Sequence, residues 1–121
     1  MPDLIDLDKL QPIDFDEVLN RIGGDSSFLM ELLTIYFQEF DDKKHLLEEA
    51  IASQDYIQVC ELGHSLKGSS ANLGLARLQR VALSLEIAGR EKRIRPAQEA
   101  IRALEAEVQT LKTFLAKNTL P

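Results

Sequence analysis

The chain has 121 residues, of which 45% are hydrophobic and 6% aromatic, and it carries a formal net charge of −6. This length supports one compact domain with a real core, but it excludes a catalytic domain combined with a separate nucleotide-binding domain. The acidic balance argues against nonspecific binding to nucleic acid or to anionic membranes, because both reward clustered positive charge. We therefore expect protein partners, and the abundance of Leu, Ala, Glu, Lys and Gln favours helices over sheet.

The sequence also limits cofactors and compartment. Cys60 is the single cysteine and there are two histidines, a set too small for an internal disulfide or a zinc site, so we expect no metal. No stretch approaches ~20 consecutive apolar residues, and the first residues lack the basic start and apolar run of a signal peptide. We expect a soluble cytoplasmic protein without a membrane anchor, and the initial methionine favours a free-standing one.

The N-terminal part of the chain predicts an arm followed by two helices. Residues 1–13 are acidic and weakly patterned, which predicts an N-terminal arm. Residues 14–22 predict a short helix that ends at Gly23 and Gly24. Asp25 and the two serines after it are candidate N-caps for a longer helix that continues to about Ala52.

Three further helices follow with short connections. The third is predicted from near Asp55 to about Gly74, the fourth over residues 75–89, and the last near Pro96, after a basic turn at residues 89–93. The inward stripe of the third helix consists of Val59, Leu62, Leu66, Ser69 and Leu73, spaced by threes and fours. The sequence thus predicts an all-α protein, an antiparallel up-down four-helix bundle with an additional short N-terminal helix, over residues 14–118.

The third helix carries a histidine, a lysine and a glycine that face the same side. At ~100° per residue, Lys67 lies about 60° to one side of His64 and Gly68 about 40° to the other. A helix-interior glycine costs ~1 kcal/mol relative to alanine, and Gly63 adds a second one, so close approach by another molecule would explain them. A neutral imidazole is nucleophilic, and a lysine one turn away can offset phosphoryl charge. We interpret His64 as a phosphoryl acceptor and Lys67 as its charge partner, although a solvated surface lysine remains the alternative.

An apolar strip surrounds this histidine. The strip consists of Ile57, Cys60, His64, Gly68 and Ala71, bordered by Glu61, Lys67 and Asn72. An apolar strip with a polar border is typical of a docking surface. The alternative is that the helix is buried on both sides, with the strip covered by the N-terminal helix or arm.

Four other features receive a structural interpretation. We expect His45 to be a surface residue and Ser69 to pack in the core while bonding back to a helix carbonyl. Ser65 and Ser70 are interpreted as structural or surface residues. The basic cluster of Arg90, Lys92, Arg93 and Arg95 is interpreted as a solvated turn, with an acidic partner as the alternative.

The eleven residues from His64 to Gly74 resemble the signature of the histidine-containing phosphotransfer, or HPt, domain of bacterial multistep phosphorelays. Leu85 and Glu86 with Gly89 downstream, and residues 19–25 upstream, support the resemblance, which covers about residues 14–115. Gly63 departs from it, because the family usually has alanine there.

The resemblance implies a four-helix bundle whose solvent-facing histidine accepts a phosphoryl group from an aspartyl phosphate on a receiver domain and passes it to another receiver. It implies that His64 is the phosphoacceptor, that Lys67 balances charge and that Gly68 leaves room for the receiver. The implied partners are response-regulator receiver domains and a sensor or hybrid histidine kinase. We expect a monomeric carrier with no catalytic centre and no cofactor of its own, since Mg²⁺ would belong to the receiver.

Other functions fit less well. A histidine kinase would need glycine-rich ATP-binding boxes, a proline after the histidine and a longer chain. A module that docks on receivers or kinases without being phosphorylated stays open as the alternative function. A purely structural bundle gives no reason for the two glycines beside His64.

Overall fold

The computed structural model describes residues 10–118, which form five helices and no strand. They are α1 (Phe15–Arg21), α2 (Ser26–Ala52), α3 (Tyr56–Asn72), α4 (Ala76–Arg90) and α5 (Ile94–Lys117). Helices α2 to α5 are joined by connections of three residues, so consecutive helices run antiparallel. The prediction of an all-α bundle with a short N-terminal helix is confirmed. Most of the predicted N-terminal arm lies outside the described residues, and within 10–118 no helix is long and apolar enough to cross a bilayer.

Aspartates define the starts of the first three helices. The carboxylates of Asp14, Asp25 and Asp55 each accept a hydrogen bond from the backbone N–H three residues later, which satisfies one of the free donors at the helix start. Pro96 lies in the first turn of α5, as predicted, where its missing N–H costs no helical hydrogen bond. The predicted start of the basic turn at Gly89 is wrong, because α4 continues through Arg90.

The inward stripe of α3 is partly as predicted. Val59, Leu62, Leu66 and Leu73 are buried, but the structure buries Ser70 rather than Ser69. Spacings of three and four allow either serine to continue the stripe, and the hydroxyl of Tyr36 on α2 selects Ser70 through a 2.8 Å hydrogen bond. Burial raises the pKa of Tyr36 to about 12, although the Ser70 hydrogen bond works against this. Ser69 donates to the Ser65 carbonyl at 3.0 Å, the predicted back-bond.

Helices α3 and α4 touch through their backbones at two glycines. A Cβ added to Gly63 would lie 2.6 Å from the Glu86 nitrogen, and one added to Gly89 would lie 2.5 Å from the Cys60 nitrogen. Neither distance leaves room for a side chain, so both glycines are needed for this close approach. The sequence predicts that Gly63 leaves room for an approaching molecule, but in the structure the α4 backbone occupies the space beside Gly63. Among the glycines inside α3 and α4, only Gly68 faces open space, with nothing within 4 Å of an added Cβ.

Helix α1 closes one end of the bundle, at the turn between α3 and α4. The Asp14 N–H donates to the Gly74 carbonyl at 2.9 Å, and Arg21 donates to the Asn72 carbonyl at 2.7 Å. Gly74 has a φ of 67°, a left-handed conformation that favours glycine at a helix end. This contact places α1 at the C-terminal end of α3.

The two glycines of α3 should therefore respond oppositely to alanine. We expect Gly63→Ala to lower the free energy of unfolding by about 1–3 kcal/mol, because the new methyl group collides with the α4 backbone. Gly68→Ala should be neutral or stabilising by up to about 1 kcal/mol, since it gains helix propensity without a clash. Urea unfolding followed by circular dichroism measures both, and equal stabilities would contradict the observed packing.

Candidate functional site

His64 lies on the exposed side of α3, near the middle of the helix. Its side chain is 71% exposed, and its Nδ1 atom lies 3.1 Å from Oε2 of Glu86 on α4. A carboxylate can only accept a hydrogen bond, so we assign the ring proton to Nδ1. In the neutral ring this leaves the lone pair on Nε2, the usual nucleophilic atom of a histidine held in this way.

Three basic side chains converge on Glu86, which is only 6% exposed. Lys67 Nζ lies 2.7 Å from Oε1, while the Arg90 guanidinium and the His64 ring reach Oε2 at 3.3 and 3.1 Å. The Lys67 hydrogen bond lowers the pKa of Glu86, burial opposes this shift, and the His64 hydrogen bond lowers the pKa further. The net direction is downward, so Glu86 is held as a carboxylate.

The predicted docking strip is largely exposed on the same face. Ile57 is 75% exposed and Gly68 is exposed, while Cys60 and Ala71 are half-buried. Helix α1 reaches only the Ala71 end of this strip, where Arg21 donates to the Ala71 carbonyl at 3.2 Å, and it leaves Ile57 exposed. Most of the N-terminal arm, the other cover considered for this strip, lies outside the described residues. A groove of about 220 Å³ adjoins the strip, lined by Ile57, Cys60, Glu61, Gly89 and Arg90 among others.

The structure separates the ends of the predicted surface. Glu61 is exposed one turn before His64 and lines the groove. Asn72 is exposed, but it lies about 12 Å along the helix from His64, and its carbonyl accepts the Arg21 hydrogen bond that holds α1. Exposed Leu83 and Ile87 extend the apolar area onto α4. The site is therefore centred on the middle of α3 and the facing part of α4.

Comparison with known proteins identifies the family of the chain. The Hpt domain family matches residues 31–114. The chain belongs to the Hpt domain family. It is 34% identical over 68 residues to Multistep phosphorelay regulator 1 of Schizosaccharomyces pombe, a match that covers 55% of the chain and 23% of that relative. No solved structure matches the chain significantly. At the family level, the function is phosphotransfer in phosphorelay signalling, by carriers rather than by catalysts.

Sequence reasoning missed two members of the site in this Hpt domain. Glu86 supported the family resemblance, but it was not predicted as a site residue. Its signal was a glutamate one turn after Ala82 and next to Leu85, on the apolar face of α4, where a charge is rarely placed without partners. Arg90 was assigned to a solvated turn, but α4 extends far enough to bring it one turn from Glu86. Within residues 10–118, no group of three His, Cys, Asp or Glu side chains could hold a metal.

The pKa of Glu86 in this Hpt domain should depend mainly on Lys67. In Lys67→Met the pKa of Glu86 should rise, because the largest contribution that lowers it is lost. Because the pKa of Glu86 is lower in the folded state than in the unfolded state, ionised Glu86 stabilises the fold at pH values above the unfolded-state pKa. This stability is lost as the pH falls through the folded-state pKa. Since that pKa is higher in Lys67→Met, the variant should lose the stability at a higher pH than the wild type.

A ¹³C NMR titration of the Glu86 side-chain carboxyl measures this shift. Arg90→Met is the matched control, since it removes a more exposed cation from the same carboxylate and should move the titration less. An unchanged Glu86 midpoint in Lys67→Met would contradict the assigned cause.

Proposed function

We propose that this chain is a phosphorelay carrier that accepts a phosphoryl group on Nε2 of His64 from the aspartyl phosphate of one receiver domain and transfers it to another. The observation that carries the proposal is the exposed His64 ring, fixed through Nδ1 by the buried Glu86 carboxylate. This contact orients the ring, and a partner can reach it because 71% of the His64 side chain is exposed.

The transfer step follows from this geometry. The Nε2 lone pair forms a bond to phosphorus while the bond between phosphorus and the aspartyl oxygen breaks, and the electron pair leaves with the aspartate carboxylate. The proton on Nδ1 stays in place, so the ring gains positive charge during the reaction. Glu86 lies where it can stabilise that charge, because its carboxylate is already ionised and bonded to Nδ1. The return step uses the same contacts in reverse.

The surrounding surface fits a receiver. Gly68 leaves open space one turn from His64, and exposed Ile57 offers apolar contact beside the groove. Lys67 carries positive charge near the reacting atoms while it orients Glu86. The chain supplies no metal ligands of its own in this account, and Mg²⁺ would be brought by the receiver, where the aspartyl phosphate lies.

The named relative supports a relay of several steps, since its name describes a multistep phosphorelay regulator. We propose receiver domains as direct partners and a sensor or hybrid histidine kinase upstream, in the cytoplasm. The alternative function, docking without phosphorylation, shares the same surface but gives no reason for a buried carboxylate bonded to the ring. Phosphate uptake distinguishes the two functions, because a carrier takes up phosphate and a docking module does not.

His64 should be the residue that takes up phosphate. After incubation with a phosphorylated receiver and Mg²⁺, intact mass should show one acid-labile phosphate on the wild type and none on His64→Gln. His45→Gln is the matched control, because His45 is also exposed but pairs with Glu48 on α2, away from the site. No phosphate on the wild type with several receivers would favour the docking function.

Space at Gly68 should be needed for transfer. Gly68→Gln should slow phosphoryl transfer from a receiver about ten- to hundredfold, because a side chain there displaces the partner from the reactive geometry. Ala106→Gln adds the same side chain at an exposed position on α5 and should leave the rate unchanged. Stopped-flow or quench-flow transfer assays compare the two, and equal rates would contradict the docking geometry.

A further inference from the structure

A second cation lies beside His64, on the side away from α4. Lys43 on α2 extends across to α3, where its Nζ atom donates a 2.8 Å hydrogen bond to Oγ of Ser65. Ser65 immediately follows His64 and is exposed, while Lys43 is half-buried. The hydrogen bond therefore fixes an ammonium group next to the histidine, from a different helix than the one that carries Glu86.

The helix geometry places His64 between the two groups. Consecutive residues are ~100° apart around a helix, so Gly63 and Ser65 flank His64 on opposite sides. Gly63 faces the backbone of Glu86 on α4, and Ser65 faces Lys43 on α2. Position 64 on α3 therefore lies between the Glu86 cluster on one side and Lys43 on the other.

The two sides differ in charge. On the α4 side, Lys67 and Arg90 share the negative charge of Glu86, which lies within 2.7 and 3.3 Å of them. On the α2 side, the partner that the structure gives Lys43 is a neutral hydroxyl, which orients the ammonium group without compensating its charge. A phosphoryl group on Nε2 would add up to two negative charges between these sides. A lysine that is bonded to a neutral hydroxyl can exchange that bond for one to a negatively charged phosphoryl oxygen.

We propose that Lys43 is a phosphoryl-binding residue, which contacts the phosphoryl group on His64 from the α2 side while Ser65 holds it in position beforehand. This inference rests on the proposed function. It assigns α2 a direct part in the reaction, and it gives Lys43 and Lys67 separate tasks. Lys67 holds Glu86, and Lys43 offsets the charge on the phosphoryl oxygens.

³¹P NMR of the phosphorylated protein tests the assignment of Lys43. Phosphoramidate is used as the donor, so that no receiver surface takes part; His64 Nε2 bonds to phosphorus as the donor's phosphorus–nitrogen bond breaks and ammonia leaves. A nearby cation favours the dianionic phosphoryl group, so the pH midpoint of the phosphohistidine signal should rise in Lys43→Met. The rate of phosphorylation should fall about three- to tenfold.

Lys44→Met is the matched control. It removes the same charge from the neighbouring position, but Lys44 points to Glu105 on α5 at 3.5 Å, and the midpoint should remain that of the wild type. Lys43→Arg keeps the cation and should stay close to the wild type. Equal midpoints in Lys43→Met and Lys44→Met, with both proteins phosphorylated and helical, would overturn the assignment of Lys43. Absence of a phosphohistidine signal in the wild type would overturn the proposed function and this inference with it.

Discussion

The backbone contact between α3 and α4 is the constraint on which the site depends. Gly63 has no side chain, so the Glu86 backbone can lie directly against α3, one residue from His64. Gly89 repeats the contact one turn further along α4, against Cys60. Helices this close share one surface rather than two, and for that reason a side chain of α4 can bond to a ring carried by α3. The short distance between α3 and α4 is therefore what allows Glu86 to bond to the His64 ring.

The burial of the Glu86 carboxylate between the helices costs free energy, which its three basic partners offset. Burying a carboxylate is unfavourable unless it is paired and hydrogen-bonded, and removal of one partner of a buried pair usually destabilises a protein strongly. Lys67, Arg90 and His64 supply the pairing from two helices. The same carboxylate orients the imidazole, so the interaction that makes burial tolerable would also prepare His64 for the phosphoryl transfer proposed above. The bundle thus holds an oriented histidine at its surface.

The sequence anticipated the elements better than their contacts. Caps, glycines and apolar spacing are local signals, and they located the helix starts at Asp25 and Asp55 and the exposed position of His64. The sequence-based predictions were wrong where a contact between two helices determines the role of a single residue. Ser69 and Ser70 both fit the stripe of α3, and only Tyr36 on the neighbouring helix distinguishes them. Gly89 looked like the start of a turn, because its reason for being glycine lies on α3.

By itself, the sequence determined an all-α bundle, because caps and apolar spacing are local to each helix, and it determined the exposed histidine with the lysine and glycine beside it, because these follow from spacing along α3. Its His64–Gly74 motif also carried the resemblance to the family. Only the tertiary structure decided which groups meet that histidine. Glu86 and Lys43 lie 22 and 21 positions from His64 in the sequence, on two different helices, and no periodicity within α3 refers to them. Their positions depend on the register and separation of packed helices, which glycines and buried side chains set jointly across the interface.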